Sequence, residues 1–183
     1  MKITTVGKGN IGGGLGELWA NAGHEVTAIG RDGGDVSDAD AVLIAVPGSA
    51  VDEALVGIRG LQSKTVIDAT NLIGVDPPEG FASNAEFIKS QTGGPTAKSF
   101  NINFASLFDR LGSTNERPGN LWCGDEEARG VVEQLIYDAG YDPIYAGGLE
   151  NAGPQEQFVK LAFAITRGGL GPFFYRMASP DRF

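Results

Sequence analysis

Six residues near the N-terminus, Gly7-Lys8-Gly9-Asn10-Ile11-Gly12, constrain the fold of this chain more than any other stretch. They follow a short β-branched run, Lys2 to Val6, which suits a buried strand. They lead into Leu15, Leu18, Trp19 and Ala22 at helical spacing, a pattern that Gly23 ends. Between a strand and a helix, each glycine of G-x-G-x-x-G has its own reason. Gly7 permits the tight turn, Gly9 lets a pyrophosphate approach the backbone, and Gly12 lets the helix pack close to the strand. The N–H groups that open the helix, together with its dipole, then face the phosphates. Glycine makes up 28 of the 183 residues, so the pattern alone is weak, and a Gly-rich structural turn is the alternative. Its position directly between strand and helix makes a dinucleotide site the expectation, with Gly7, Lys8, Gly9, Asn10, Ile11 and Gly12 as candidate contacts.

The second strand, Glu25 to Ile29, ends at Gly30-Arg31-Asp32, where the adenosine ribose of a dinucleotide would lie. An NAD site places Asp or Glu at that strand end for the 2′-hydroxyl, whereas an Arg accommodates a 2′-phosphate. Here Gly30 and Arg31 stand at the tip and Lys8 lies in the loop on the same side. Two cations and no acid favour NADP(H); Asp32 comes one place late and is expected to face solvent. Only nine residues, Asp32 to Asp40, precede the next apolar run, Ala41 to Val46. A complete doubly wound half spends about thirty residues there on a helix and an edge strand. The short link reaches at most roughly 30 Å, enough to pass strand one and enter a parallel strand beyond it. The crossover helix and edge strand are therefore expected to be missing. Strand two should lie near the sheet edge, and the adenine side of the cleft should be unusually open.

Ser49 reads as the N-cap of a helix through Leu55 and Ile58, and Thr65 to Ala69 as strand four. In doubly wound sheets ligands bind outside the carboxyl ends of the strands, which puts Val46, Pro47, Ala69, Thr70 and Asn71 near the nicotinamide. Asp68 falls inside its strand, where a structural hydrogen bond is at least as good a reading as a functional one. Residues 72–82 read as a loop, Asn84 to Gln91 as a short helix, and Thr96 to Phe100 as strand five, with Asn101 at its carboxyl end. Phe104, Leu107, Phe108 and Leu111 form an apolar helical stripe, and Gly112 to Gly119 a mobile loop. Leu121 to Gly124 is a strand, Asp125 caps a helix through Val132, Leu135 and Ile136, and Pro143 to Ala146 is the last strand. A helical pattern runs from Pro154 to Ile165. Beyond it lies a tail with Phe173-Phe174-Tyr175, expected to contribute to a subunit contact rather than to cofactor binding. The fold class is thus α/β, a doubly wound, mostly parallel (Rossmann) sheet in a single domain over residues 1–183, with 151–183 as a C-terminal helix and aromatic tail.

Composition narrows the function. A net charge of −9 argues against a nucleic-acid surface, which needs basic patches. Cys123 is the only cysteine, so neither an intrachain disulfide nor a thiolate zinc cluster is available. His24, the only histidine, reads as a polar residue at a helix–strand junction rather than as a catalytic base. No apolar stretch approaches the roughly twenty residues of a membrane span, and the N-terminus enters strand one directly, so the expectation is a cytoplasmic protein.

Several segments together are similar to the deazaflavin-dependent NADP oxidoreductases (NADPH:coenzyme F-420 reductases). They are the glycine loop with Asn10, Gly23-His24-Glu25-Val26, Gly30-Arg31, Ala39-Asp40-Ala41-Val42 leading into Val46-Pro47, and Ala97-Lys98-Ser99-Phe100-Asn101. The resemblance spans residues 1 to about 150. It implies one NADP-binding domain whose cleft stacks a deazaflavin, or in divergent members a flavin, on the nicotinamide, and it suggests a homodimer. By this likeness Lys8 and Arg31 occupy phosphate-binding positions, where relatives often carry a small hydroxyl residue and a Ser-Arg pair. Gly30 replaces that hydroxyl, and the short link removes other phosphate contacts. Hydride transfer between stacked rings asks the protein for placement rather than acid–base groups, so no catalytic side chain is assigned and no metal is expected. The alternative, from another class, is a non-catalytic NADP(H)-binding sensor or partner-binding module. An imine reductase or hydroxyacid dehydrogenase ranks lower, because fewer than forty residues follow the last strand, too few for the helical second domain of those enzymes.

Overall fold

Alternation along short β-branched strands divides the core between two faces of one sheet. The computed structural model describes residues 1–182. In chain order its regular elements are β1 (Lys2–Val6), α1 (Asn10–Asn21), β2 (Glu25–Ile29), β3 (Gly34–Asp35), β4 (Ala41–Ile44), α2 (Val51–Val56), β5 (Ile58–Arg59) and β6 (Thr65–Asp68). There follow α3 (Asn84–Thr92), β7 (Thr96–Lys98), β8 (Gly119–Gly124), α4 (Arg129–Asp138), β9 (Asp142–Tyr145) and α5 (Ala152–Ile165). Seven strands form one sheet in the order β2-β1-β4-β6-β7-β8-β9, and all neighbours are parallel except β7 and β8. Ile3, Leu43 and Ile67 point to the face covered by Leu15 and Trp19 of α1 and by Val132, Leu135 and Ile136 of α4. Val42, Ile44 and Val66 point to the other, under Val51 and Leu55 of α2 and Phe87 and Ile88 of α3. Helices on both faces of a mostly parallel sheet make a doubly wound Rossmann-like α/β fold, as the sequence predicts.

The link from β2 to β4 contains no helix, and β2 is the edge strand of the large sheet. The link does not simply span the gap, however. Gly34 and Asp35 pair in parallel with Ile58 and Arg59, a two-residue ladder (β3 with β5) set apart from the main sheet. Gly33 makes this approach possible: its φ is +71°, and a Cβ there would lie 2.0 Å from the Gly57 carbonyl oxygen.

Five local expectations change. Helix α2 ends at Val56 and Ile58 belongs to β5, because the chain turns out at Gly57 to meet the link. Ser49 lies in a 3-10 turn, Gly48–Ala50, and its side chain caps nothing. Residues Ala105–Ser113 form a 3-10 helix, not an α-helix, which still buries Leu107, Phe108 and Leu111. Gly119 belongs to β8 and is buried rather than part of a loop. Asp125 also serves differently from a helix cap: its carboxylate accepts from the Thr96 N–H at 2.8 Å and from Lys89 Nζ at 2.7 Å, tying β7 to α3.

The aromatic tail folds back on its own chain. The Tyr175 carbonyl accepts from the Gly119 N–H at 2.6 Å, its hydroxyl accepts from the Leu121 N–H at 2.7 Å, and Phe173 packs on Phe104 with ring centres 5.4 Å apart. All three rings pack against the domain that carries them and stay half-buried, which neither requires nor excludes the expected subunit contact.

Candidate functional site

A cleft of about 560 Å³ opens at the carboxyl ends of β1, β2 and β4. Its rear is the glycine turn. A Cβ on Gly7 would sit 2.3 Å from the Ala45 carbonyl oxygen, and one on Gly12 would sit 2.0 Å from the Gly7 carbonyl oxygen, so both positions are closed to any side chain. Gly9 differs: a Cβ there would meet nothing within 4 Å, because it faces the open cleft. Gly9 is also the residue before α1, whose first N–H groups have no partner within the helix. Tight packing behind and open space in front is the arrangement a phosphate-approaching backbone requires.

Lys8 and Arg31 line the cleft beside Gly30, and both are exposed. The Lys8 chain runs across Gly30, with Nζ 3.9 Å from where a Gly30 Cβ would be. Neither cation forms an ion pair among the described residues. Val46 and Pro47 line the opposite lip. Asn10, Ile11 and Gly12 form the first turn of α1 directly after the loop, and the cleft lining itself runs through Gly7, Lys8 and Gly9. Ala69 and Thr70 are buried: the Thr70 N–H donates to Asp68 Oδ1 at 2.8 Å, and its hydroxyl accepts from Asn84 Nδ2 at 2.9 Å. Asn71 is half-buried and holds Asn101 in a reciprocal pair, at 2.8 and 3.0 Å.

Other lining residues carry no motif. Gly33, Ala50, Glu53, Ala54 and Ile58 line the side toward the link after β2, so the β3–β5 ladder walls a region expected to be open. Two-residue strands have no periodicity, and Glu53 reads simply as an acid in the first turn of a helix.

Beneath the carboxyl ends of β6 and β7 lies a charged cluster that the sequence does not announce. Lys98 is 0% exposed, and its Nζ sits 2.7 Å from Asp68 Oδ2, 2.8 Å from Glu156 Oε1 and 2.9 Å from the Thr70 carbonyl oxygen. Burial alone would push the Lys98 ammonium down, but Asp68 and Glu156 outweigh it and hold its pKa above the usual lysine value. Burial raises the Glu156 carboxyl, and Lys98 offsets this only in part. Next to Glu156, Gln155 Nε2 donates to Asn101 Oδ1 at 2.8 Å and to the Leu121 carbonyl oxygen at 3.0 Å. An amide chain thus runs from α5 through Asn101 to Asn71. Phe100, between Lys98 and Asn101, takes a left-handed backbone (φ +60°) that turns the chain out of the sheet and aims Asn101 at Asn71. A bulky residue adopts this conformation only where its surroundings enforce it. Here its ring is locked edge-on against Trp19 and Tyr141.

The remaining reactive side chains stand away from the cleft. His24 Nε2 pairs with Asp138 Oδ2 at 2.8 Å, which ties the entry to β2 to the end of α4. Cys123 is buried, and desolvation pushes its thiol up to about 12, so it is no nucleophile at neutral pH. No helix among the described residues is long and apolar enough to cross a membrane.

No protein-family model and no curated protein matches this chain. Solved structures do. One described as a candidate F-420-dependent NADP reductase, from Arthrobacter sp. FB24, superimposes with a TM-score of 0.81 at 21% identity, over 98% of this chain and 100% of that one. A hypothetical protein from Sinorhizobium meliloti gives 0.68 at 22% identity, over 86% of this chain and 90% of that one. A reductive aminase from Aspergillus terreus, in complex with NADPH and ethyl levulinate, gives 0.68 at 15% identity, over 91% of this chain and 62% of that one. At these identities the likeness establishes the fold: a Rossmann-like α/β domain similar to those of proteins described as NADP reductases and NADPH-bound aminases.

Proposed function

We propose that this chain is an NADP(H)-dependent oxidoreductase that passes a hydride between the nicotinamide and a second ring coenzyme stacked on it, a deazaflavin of the F-420 type or a flavin. The observation that carries the cofactor half is the pair of unpartnered cations, Lys8 and Arg31, flanking Gly30 at a strand tip without an acid. Gly7, Gly9 and the first turn of α1 (Asn10, Ile11, Gly12) would hold the pyrophosphate, and Lys8 and Arg31 the 2′-phosphate. Val46 and Pro47 would flank the nicotinamide, with Asn71 at the strand ends beside Ala69 and Thr70. The redox chemistry belongs to the two ring systems. The chain supplies placement and a lip of Ala45, Val46 and Pro47 that carries no titratable group. The second coenzyme rests on the resemblance and on the description of the Arthrobacter structure.

Two measurements test this. Steady-state oxidation of NADPH against a panel of deazaflavin, flavin and quinone acceptors identifies the second substrate; tight NADPH binding without turnover would favour the sensor reading instead. Calorimetric titration is expected to show NADPH preferred over NADH by about tenfold or more, since each charge-assisted hydrogen bond contributes roughly 1.5–3 kcal/mol. Arg31→Ala should remove most of that preference and Lys8→Ala part of it, whereas equal wild-type affinities would sink the assignment.

The proposal includes a cytoplasmic homodimer. Its support is the far end of α5 and the turn after it, where Leu161 is 53% and Leu170 64% exposed, with Phe163 and Ile165 also in solvent. A helix apolar on most of its sides is normally a covered one.

A further inference from the structure

We infer that Glu53 reads the adenine base of the dinucleotide, accepting a hydrogen bond from its exocyclic 6-amino group. This rests on the cleft being an NADP(H) site and goes beyond it to a residue that sets base specificity. Three ionisable side chains line the cleft, and two of them, Lys8 and Arg31, stand at the β1 and β2 tips, where the ribose belongs. Glu53 stands on the opposite wall, in the first turn of α2. Around it the lining turns small and apolar: Ala50, Ala54, Gly33 and Ile58. The β3–β5 ladder holds Gly33 and Ile58 together on this side, with the Gly34 N–H donating to the Gly57 carbonyl oxygen at 3.0 Å. A flat base suits a small, apolar lining of this kind, and an acceptor beside it can meet the base's amino group.

Glu53 is that acceptor. It forms no hydrogen bond or ion pair among the described residues. Its helix neighbour Asp52 is equally placed to favour the helix dipole, yet Asp52 does not line the cleft. A carboxylate accepts and cannot donate. At position 6 adenine offers N–H groups, whereas hypoxanthine has a carbonyl oxygen that a carboxylate repels, its own donor being moved to the adjacent ring N–H at position 1. A site built around such a contact rejects the analogue that lacks it.

The experiment is calorimetric titration of NADPH and of its hypoxanthine analogue, deamino-NADPH, into wild type, Glu53→Ala and Glu53→Gln. Wild type should bind NADPH about tenfold more tightly than the analogue, the effect of one charge-assisted hydrogen bond at a solvated rim. Glu53→Ala should bring the two affinities to within about twofold by weakening NADPH. Glu53→Gln should do so by tightening the analogue, because its amide can also donate. A wild type indifferent to the base, or a preference that survives Glu53→Ala, overturns the inference. So does equal tightening of both dinucleotides in both variants, the signature of a carboxylate that merely repels phosphates. A wild type that binds neither dinucleotide overturns the cofactor reading itself, and this inference with it.

Discussion

A methyl group at residue 12 has nowhere to go, and the same group at residue 9 meets only solvent. That contrast separates the fold from the site within one loop. Gly12→Ala would drive a Cβ onto the Gly7 carbonyl oxygen, backbone against backbone, and should lower stability by about 1–3 kcal/mol in urea denaturation. Gly9 has ordinary backbone angles (φ −78°), so Gly9→Ala should stay within about 0.5 kcal/mol of wild type while losing NADPH affinity about tenfold or more, as the methyl occupies the phosphate's approach. Loss of stability without loss of affinity in Gly9→Ala would show that the open face of the loop holds no phosphate. Glu156 adds a pH effect whose sign follows from burial. Folding raises its pKa, so its contribution is fully present below the usual carboxylate range and is lost as pH rises through the raised value. Glu156→Gln mimics the neutral form, and its urea midpoint should gain on wild type as pH goes from about 4 to about 8. A constant difference across that window would show that Glu156 is not strained by ionisation.

At the scale of elements, one buried ammonium fastens α5 to the strand ends. Lys98→Met leaves Asp68 and Glu156 buried without their partner, a change that typically costs about 3–5 kcal/mol. Restoring neutrality with Asp68→Asn and Glu156→Gln should recover much of it, and amide exchange should show the loosening concentrated in α5. The local signals that make β1, α1 and β2 legible from sequence are absent here. A β-branched run, three glycines with separate steric duties and an amphipathic helix specify a local structure that no distant contact needs to correct. Lys98 sits in a strand three residues long, and its two carboxylates lie 30 and 58 positions away, so no spacing rule connects them. The β3–β5 ladder is hidden for a related reason, since pairing of Gly34 and Asp35 with Ile58 and Arg59 arises from tertiary approach. The stripe from Phe104 to Leu111 buries the expected residues, but a 3-10 helix satisfies the same spacing over so short a run.

For the molecule as a whole, the division of the cleft has a kinetic consequence. Its ionisable side chains are Lys8 and Arg31 just past β1 and β2 and Glu53 on α2, while the lip at β4 is Ala45, Val46 and Pro47. Single-turnover hydride transfer should therefore vary little between about pH 6 and 8, apart from titration of the second coenzyme itself. A steep bell belonging to a protein side chain would place an acid or base at the reacting rings and end the placement-only reading. The short link between β2 and β4 reaches further than the cleft. By leaving β2 as the last strand of the large sheet, it bares one row of backbone donors and acceptors along Glu25–Ile29, with Glu25, Thr27 and Ala28 in solvent. Such a border invites a stray strand from another chain, and natural sheets defend it by keeping it brief and charged. Five residues beginning with Glu25 follow that practice, and the carboxylate that guards the border touches neither core nor cleft.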